Sequence, residues 1–567
     1  MLTVGLQVCA RLSSPVRCAF RSSVERLTPL HNLCQRSNRG LSSTYLQPRL
    51  HPTRPSLCRV ATAPPALQMP ENVVQGLQPQ ALWAFFQALT QIPRPSKCED
   101  KVIAYLQDFA TKRKLEYKQD SVGNMVIKRP GSGGGETAPT VVIQGHIDMV
   151  CEKNNDVQHD FHTDPLKLVK QGDWLKAEGT TLGADNGIGV AAALALLDMP
   201  ASAKLPPLEC LFTIDEETGL TGAFGLDGSL LTGRTLLNLD TEDWGEIFIG
   251  CAGGGDSIIE LPVQLEPKPP SHSHPQILRV SGLMGGHSGL NISEDRGNAV
   301  ALVTQVLQAL VKVHPDVRVI SLSAGDKRNA IAREASAVLE VPSGEPRLMV
   351  QQLVSQQALL LKEEYGYLEK DMSIDIYDHP QRAPTVMTVE SQTKLLTLLS
   401  TLPHGVIKWS HAVPGLVETS NNLAAVKPSS SSDSEAKYSI IMSTRSSLTH
   451  AMEVQRAHIA ALAGLCGATV AQDKAYPGWA PNPASPVLQV TKDAFRQLLG
   501  KEPKVAAIHA GLECGIIGEK VPGMDAVSYG PTITGAHSPD EQVSISTVKP
   551  FWEVTLKILE ALASKQQ

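Results

Sequence analysis

Seven residues able to hold a cation or move a proton fall at, or just beyond, the ends of short apolar runs. In order they are His146, Asp148, Asp185, Glu216, Glu217, Asp240 and, far downstream, His537. Two imidazoles with several carboxylates make a mixed N/O donor set of the kind that binds zinc and similar divalent ions. One carboxylate beyond the ligand count is what metal-assisted hydrolysis uses as a general base. The pattern points to hydrolytic chemistry at a pair of metal ions.

The runs that must position these residues alternate between strand and helix patterns. Pro79 to Phe109 carries helical spacing, with Leu82, Phe85, Leu89, Val102, Tyr105 and Leu106 apolar. Strands are expected at Met125–Lys128, Val141–Gln144, Leu208–Ile214 and Thr235–Leu239, and a buried helix at Asn186–Leu197. That alternation predicts an α/β fold with a mostly parallel, doubly wound sheet. Sites in such sheets gather beyond the carboxyl ends of the strands, where His146, Glu216 and Asp240 fall. A Pro-rich interruption at Glu266–Pro275 then changes the pattern, with a strand at Ile277–Val280, a helix at Gly297–Val313 and a run at Ser429–Ser432 read as a solvated loop. The helix–strand rhythm returns after Pro481 and closes with an amphipathic helix at Thr547–Leu562. The expected division is a leader at 1–67, a discontinuous catalytic domain at 68–253 and 476–567, and an inserted α+β lid at 254–475.

Each site residue has a bland alternative when taken alone. Asp185, before a helix, reads first as an N-cap. Glu216 and Glu217 could be solvated loop acids, and His146-Ile147-Asp148 is a weak signal. The two side chains of that tripeptide do point the same way, so that one can bind a metal while the other orients it. The ordered set carries the argument.

Four strings in this order resemble the successive site motifs of the co-catalytic zinc peptidases that include aminoacylase and carboxypeptidase G. They are Gly145-His146-Ile147-Asp148-Met149-Val150, Gly183-Ala184-Asp185-Asn186-Gly187-Ile188-Gly189, Asp215-Glu216-Glu217-Thr218-Gly219 and Asn238-Leu239-Asp240. Further strings, Gly250-Cys251-Ala252-Gly253-Gly254, Gly285-Gly286-His287-Ser288-Gly289, His509-Ala510-Gly511-Leu512-Glu513-Cys514-Gly515 and Gly530-Pro531-Thr532-Ile533-Thr534-Gly535-Ala536-His537-Ser538-Pro539-Asp540-Glu541, are similar to the aminoacyl-histidine (Xaa-His, carnosine-cleaving) dipeptidase branch. The resemblance runs from about residue 70 to the end. It implies that His146, Asp185 and Asp240 hold one metal and that Asp185, Glu217 and His537 hold the other. Asp148 would orient His146, Glu216 would be the general base, and His287 on the lid would stabilise the oxyanion. Arg445 is the implied grip on the substrate carboxylate, with Asn329, His509 and Glu513 as further substrate contacts. Alanine at 332, where relatives usually carry proline, is a departure beside Asn329. The implied cofactors are two divalent ions, zinc first, with manganese and cobalt as alternatives. The implied substrate is a small dipeptide. A monomer and a homodimer are both compatible, since the long lid could supply His287 within one chain.

Composition is compatible with that reading. A net charge of −6 argues against nucleic acid, and the longest apolar stretch, Val190 to Leu197, is too short to span a membrane. Residues 1–65 hold nine Arg, no Lys and one acid, Glu25, so they carry +8 and leave −14 for the rest. An Arg- and Ser-rich, acid-poor start predicts a mitochondrial transit peptide, with a disordered basic tail on a cytoplasmic protein as the alternative. Cys98, Cys151, Cys210, Cys251, Cys466 and Cys514 lack paired spacing and read as buried free thiols. Two other functions fit the same chain: an N-acyl amino acid deacylase or broad di/tripeptidase, and a metal-free binding module that lost its activity.

Overall fold

The computed structural model describes residues 73–270, 272–380, 383–432 and 434–565. The basic leader, with its four cysteines, lies outside these residues. From Pro70 onward the chain forms one compact unit.

Its first sheet has eight strands, in the order Glu116–Gln119, Met125–Arg129, Leu208–Thr213, Val141–His146, Thr235–Asn238, Asp525–Ser528, Glu246–Cys251 and Lys504–Ile508. The four strands from Leu208–Thr213 to Asp525–Ser528 run parallel, as do the last two, and antiparallel pairs occur elsewhere. The sheet is therefore mostly parallel. Its central strands are apolar on both faces because helices cover both sides. Register matters for the chemistry. Gln144 is level with both Leu211 and Asn238, and His146 with Thr213, so three strands end at the same height.

The helix Ala184–Leu197 packs on the Val141–His146 strand and on the helix Gln80–Thr90. It is buried along nearly all its length, which its Ala-rich sequence permits by letting neighbours come close. Gly189 is one such contact: a Cβ there would lie 2.6 Å from the Leu239 carbonyl oxygen. The last helix, Ile545–Ala563, presents Val548, Phe551, Val554, Ile558, Leu559 and Leu562 to the same core at helical spacing. Truncating one of these to alanine would cost roughly 2–5 kcal/mol. The helical pattern expected from Pro79 to Phe109 is two helices, Gln80–Thr90 and Asp100–Arg113, because Pro93 and Pro95 fall between them.

A second sheet, of ten strands, takes its strands from residues 253–471 and is antiparallel throughout. It has its own apolar core under the helices Ala299–Val313, Glu345–Tyr365 and Val389–Thr401. Asn298 caps the first of these, its side chain accepting from the Val300 and Ala301 N–H groups. The serine run departs from the loop reading. Ser429–Ser431 form the exposed end of the long strand Val417–Ser431, paired through Ser430 and Ser431 with Lys437 and Ala436. Cys98 is exposed rather than buried, while Cys210, Cys251 and Cys514 are buried; all six described cysteines are free.

A third, four-stranded sheet joins Leu168–Gln171 and Trp174–Ala177 to Ile533–Thr534 and Gln542–Ser544. The last two strands flank the loop that carries His537.

Candidate metal centre

Strand ends, a helix start and a loop place six of the seven residues, His146, Asp185, Glu216, Glu217, Asp240 and His537, on one cavity of about 480 Å³. His146 Nε2 lies 3.0 Å from Asp185 Oδ1 and 3.3 Å from Asp240 Oδ1. His537 Nε2 lies 3.3 Å from Asp185 Oδ2 and 2.9 Å from Glu217 Oε2. Two donor groups thus share Asp185, one oxygen to each. Asp148 stands behind them, its Oδ1 3.3 Å from His146 Nδ1. Its two oxygens also accept the Glu216 and Glu217 N–H groups at 3.1 and 3.2 Å, fixing the turn that carries both glutamates. The Glu216 carboxyl belongs to neither donor group and faces the same cavity.

The electrostatics show a site short of positive charge. Hydrogen bonds to Asp185 and Glu217 push the His537 imidazole up to about 11. Burial would lower His146, but Asp240, Asp148 and Asp185 hold it well above its usual value. Burial raises the Asp240 carboxyl to about 6 and lifts Glu216 well above the carboxylate range. Burial would also raise Asp185, yet bonds from His146 and His537 keep it below. Glu217 Oε1 is buried without a hydrogen-bond partner, and Asp240 Oδ1 makes no hydrogen bond beyond its 3.3 Å approach to His146 Nε2. Buried carboxylate oxygens so poorly met are what a dication would satisfy.

Several residues that hold this geometry escaped the sequence reading. Glu541 accepts four backbone N–H groups: Leu182 (2.7 Å) and Gly183 (2.9 Å) on one oxygen, Ala184 (2.7 Å) and Asp185 (3.3 Å) on the other. It ties the His537 loop to the Asp185 loop. Arg94, almost wholly buried, donates to the Ile147 (3.0 Å), Asp148 (2.6 Å) and Gly183 (2.5 Å) carbonyls, joining the Asp148 segment to the same loop. Glu99 and Asp215 cluster with Asp148, and Ser96 donates to Asp148 Oδ2 at 2.8 Å. The Glu541 signal was its place four residues after His537; Arg94 offers only an Arg between two prolines.

A second group gathers on the ten-stranded sheet. His287 Nδ1 accepts the Gly289 and Leu290 N–H groups at 3.2 and 3.1 Å. That fixes the tautomer and leaves Nε2 to donate. Burial, aided by Arg445, lowers this imidazole to about 4, so it is neutral. Arg445 is buried, contacts Ser288 Oγ (3.4 Å) and the Tyr476 hydroxyl (3.2 Å), and has no carboxylate partner among the described residues. His509 Nε2 meets Ser420 Oγ at 2.7 Å, and burial lowers it to about 3. Asn329 lends its backbone carbonyl to Ser288 N–H at 2.8 Å, with its side chain exposed. His287, Arg445, His509 and Asn329 do not themselves line the metal cavity; their neighbours Leu290 and Gly511 do, and Gly511 abuts the Tyr476 ring.

Glu513 lies elsewhere than its expected place at the substrate. Its buried carboxyl sits beneath the strand ends, accepting from Gln144 (2.6 Å) and Thr213 (2.7 Å). Gln144 in turn accepts from Asn238 at 2.5 Å, so one carboxylate links the strands that lead to His146, Glu216 and Asp240. It is the first residue of the helix Glu513–Lys520, whose packing turns the side chain inward.

Comparison with known proteins gives a consistent picture. The family model described as peptidase family M20/M25/M40 matches residues 142–561. The cytosol non-specific dipeptidase of Escherichia coli strain K12 is 38% identical over 489 residues, covering 86% of this chain and 99% of that one. The crystal structure of aminoacylhistidine dipeptidase from Vibrio alginolyticus superposes with a TM-score of 0.79 at 38% identity, covering 86% of this chain and 98% of that one. Aminopeptidase PepT from Bacillus cereus shares the fold, with a TM-score of 0.55 at 17% identity, over 86% of this chain and all of that one.

Proposed function

The chain belongs to peptidase family M20/M25/M40, and on that basis we propose that it is a metal-dependent dipeptidase whose substrates include Xaa-His dipeptides. The observation that carries this reading is the pair of donor groups sharing Asp185, with Glu216 left free beside them. His146, Asp185 and Asp240 would hold one divalent ion, and Asp185, Glu217 and His537 the other. Nitrogen and carboxylate donors suit zinc, with manganese and cobalt next in order of trial. When bound, the ions would lower the pKa of a water in the crevice and polarise the scissile carbonyl.

The chain's own groups do the rest. Glu216, its proton affinity raised by burial, takes the proton of the attacking water and returns it to the leaving amine. Asp148 holds His146 and the Glu216–Glu217 turn in place. The neutral His287 presents Nε2–H to the oxygen that gains charge at the scissile carbonyl. The Arg445 guanidinium, lacking a partner acid, takes the substrate carboxylate, with Tyr476 and Ser288 holding it from behind. Leu290 of the 285–290 loop lines the cavity, which supports the reading that His287 acts within its own chain. The Escherichia coli relative is named for the cytosol, which supports a cytoplasmic place for this chain as well; the Arg-rich leader supports import into mitochondria.

The test is hydrolysis of β-Ala-His, Gly-His, Ala-Ala, Gly-Gly-His and N-acetyl-Met by the zinc- or manganese-loaded protein, beside its Glu216→Gln variant. Cleavage of the dipeptides, lost by about 10³-fold or more in the variant while two metals per chain are retained, is the expected result. Preference for N-acetyl-Met would make the chain a deacylase. Two bound metals with no turnover would make it a binding module.

A further inference from the structure

The metal cavity holds two carboxylates more than the chemistry above uses. Asp185, Glu217, Asp240 and Glu216 together carry the charge that two divalent ions would neutralise. Asp148 faces His146, and Glu541 faces four N–H groups with Arg94 nearby. Glu242 and Asp243 also line the cavity. Asp243 is exposed and has Lys504 as a neighbour. Glu242 is not so placed. It follows Asp240 by two residues, is half-buried, and its charged neighbours are Asp185, Asp240, Glu541 and His537, with no Lys or Arg among them. No side-chain hydrogen bond or ion pair of Glu242 occurs among the described residues; its backbone carbonyl alone is engaged, by Ile533 N–H at 3.0 Å.

The one cationic neighbour of Glu242, His537, is taken up by Asp185 and Glu217. This half-buried carboxylate beside the reaction centre therefore has no partner of its own among the described residues, which is costly unless a ligand supplies one. It does not join the donor groups that could close around an ion. Resting on the dipeptidase reading, we propose that Glu242 receives the free α-ammonium of the substrate. It then decides between unblocked peptides and N-acylated amino acids. Arg445 and Glu242 divide the dipeptide between them, the guanidinium taking its carboxylate end and the carboxylate its amino end. An N-acyl substrate brings no positive charge to Glu242 and leaves it uncompensated, which lowers its binding.

The experiment compares wild type with Glu242→Gln, both zinc-loaded, on Gly-His and on N-acetyl-Gly-His. Metal content is measured for each protein, and calorimetry follows binding of the ketomethylene isostere of Gly-His and of its N-acetyl form. Wild type should favour the free amine. Glu242→Gln should raise KM for Gly-His and weaken the free-amine isostere about 10- to 100-fold, the scale of one charge-assisted bond. The N-acetyl isostere should bind both proteins alike, and the metal content should stay at two per chain. Equal losses on both isosteres, or loss of metal, would make Glu242 a structural residue and overturn the inference. An unchanged KM for Gly-His would overturn it too while leaving the dipeptidase reading intact. Preference of wild type for the acetylated substrate would instead overturn that reading, and the inference with it.

Discussion

The Glu541 carboxylate offers a sharp test of how the Asp185 loop is held. Each of its oxygens accepts two backbone N–H groups, three of them at 2.7–2.9 Å and the fourth at 3.3 Å. In Glu541→Gln one oxygen becomes an amide NH₂, which cannot accept, so two of the four N–H groups lose their partner whichever way the amide turns. The groups are buried, and each unmet donor costs roughly 1–3 kcal/mol. Counting the long fourth contact as weak, the loss is about 3 kcal/mol. The loop carries Asp185, the residue common to both donor groups, so that loss should appear in metal affinity rather than in overall folding. About 3 kcal/mol is roughly a hundredfold in a dissociation constant. The assay is chelator competition with zinc, read beside the urea transition of each metal-free protein. An affinity within threefold of wild type, with the variant folded, would refute the claim that this carboxylate shapes the metal loop.

Three further perturbations follow from the same geometry. Arg94→Lys leaves one point donor where a guanidinium met three carbonyls, so it should cost about 3 kcal/mol and lower metal content, seen by thermal unfolding and metal analysis. Gly289→Ala would set a Cβ 2.1 Å from the His509 carbonyl oxygen, forcing the 285–290 loop off its seat; kcat should fall about tenfold or more while metal content holds, in steady-state kinetics. The third concerns pH. His404 and His509 are buried and lowered from 6.5 to about 4 and about 3, so the unfolded chain binds more protons than the folded one below pH 6.5. Stability should therefore decline as pH drops through 6.5 and go on declining to about pH 4, with part of that slope removed in His404→Gln; urea midpoints across this range measure it.

Much of the site was legible because each donor ends or follows an apolar run. His146, Glu216 and Asp240 could be placed at strand ends from the Val, Ile and Leu that precede them, and the register of the parallel strands brings those ends level. What stayed hidden acts across long separations. Glu541 serves a loop more than 350 residues away, and Arg94 joins segments 53 and 89 residues ahead of it. Neither partner leaves a periodic trace, since a side chain bonded to backbone groups constrains no residue type there. Glu513 shows the opposite failure: a motif marked it, but a helix start gives no direction, and its carboxyl proved to lie beneath the strands. The serine run misled for a related reason, because small polar residues suit an exposed strand end as well as a loop.

The pairing of Asp185 with His537 also sets a timetable for synthesis. The two lie 352 residues apart. A ribosome adding roughly 5–20 residues per second separates their emergence by roughly 20–70 s. Through that interval the strands bearing His146, Glu216 and Asp240 are already made, yet the donor that completes the second half of the site does not exist. Glu541, which braces the Asp185 loop, arrives later still. On the proposed ligand set, a nascent chain therefore lacks the second donor group until synthesis is nearly complete, and capture of the full metal pair becomes the closing event of its manufacture.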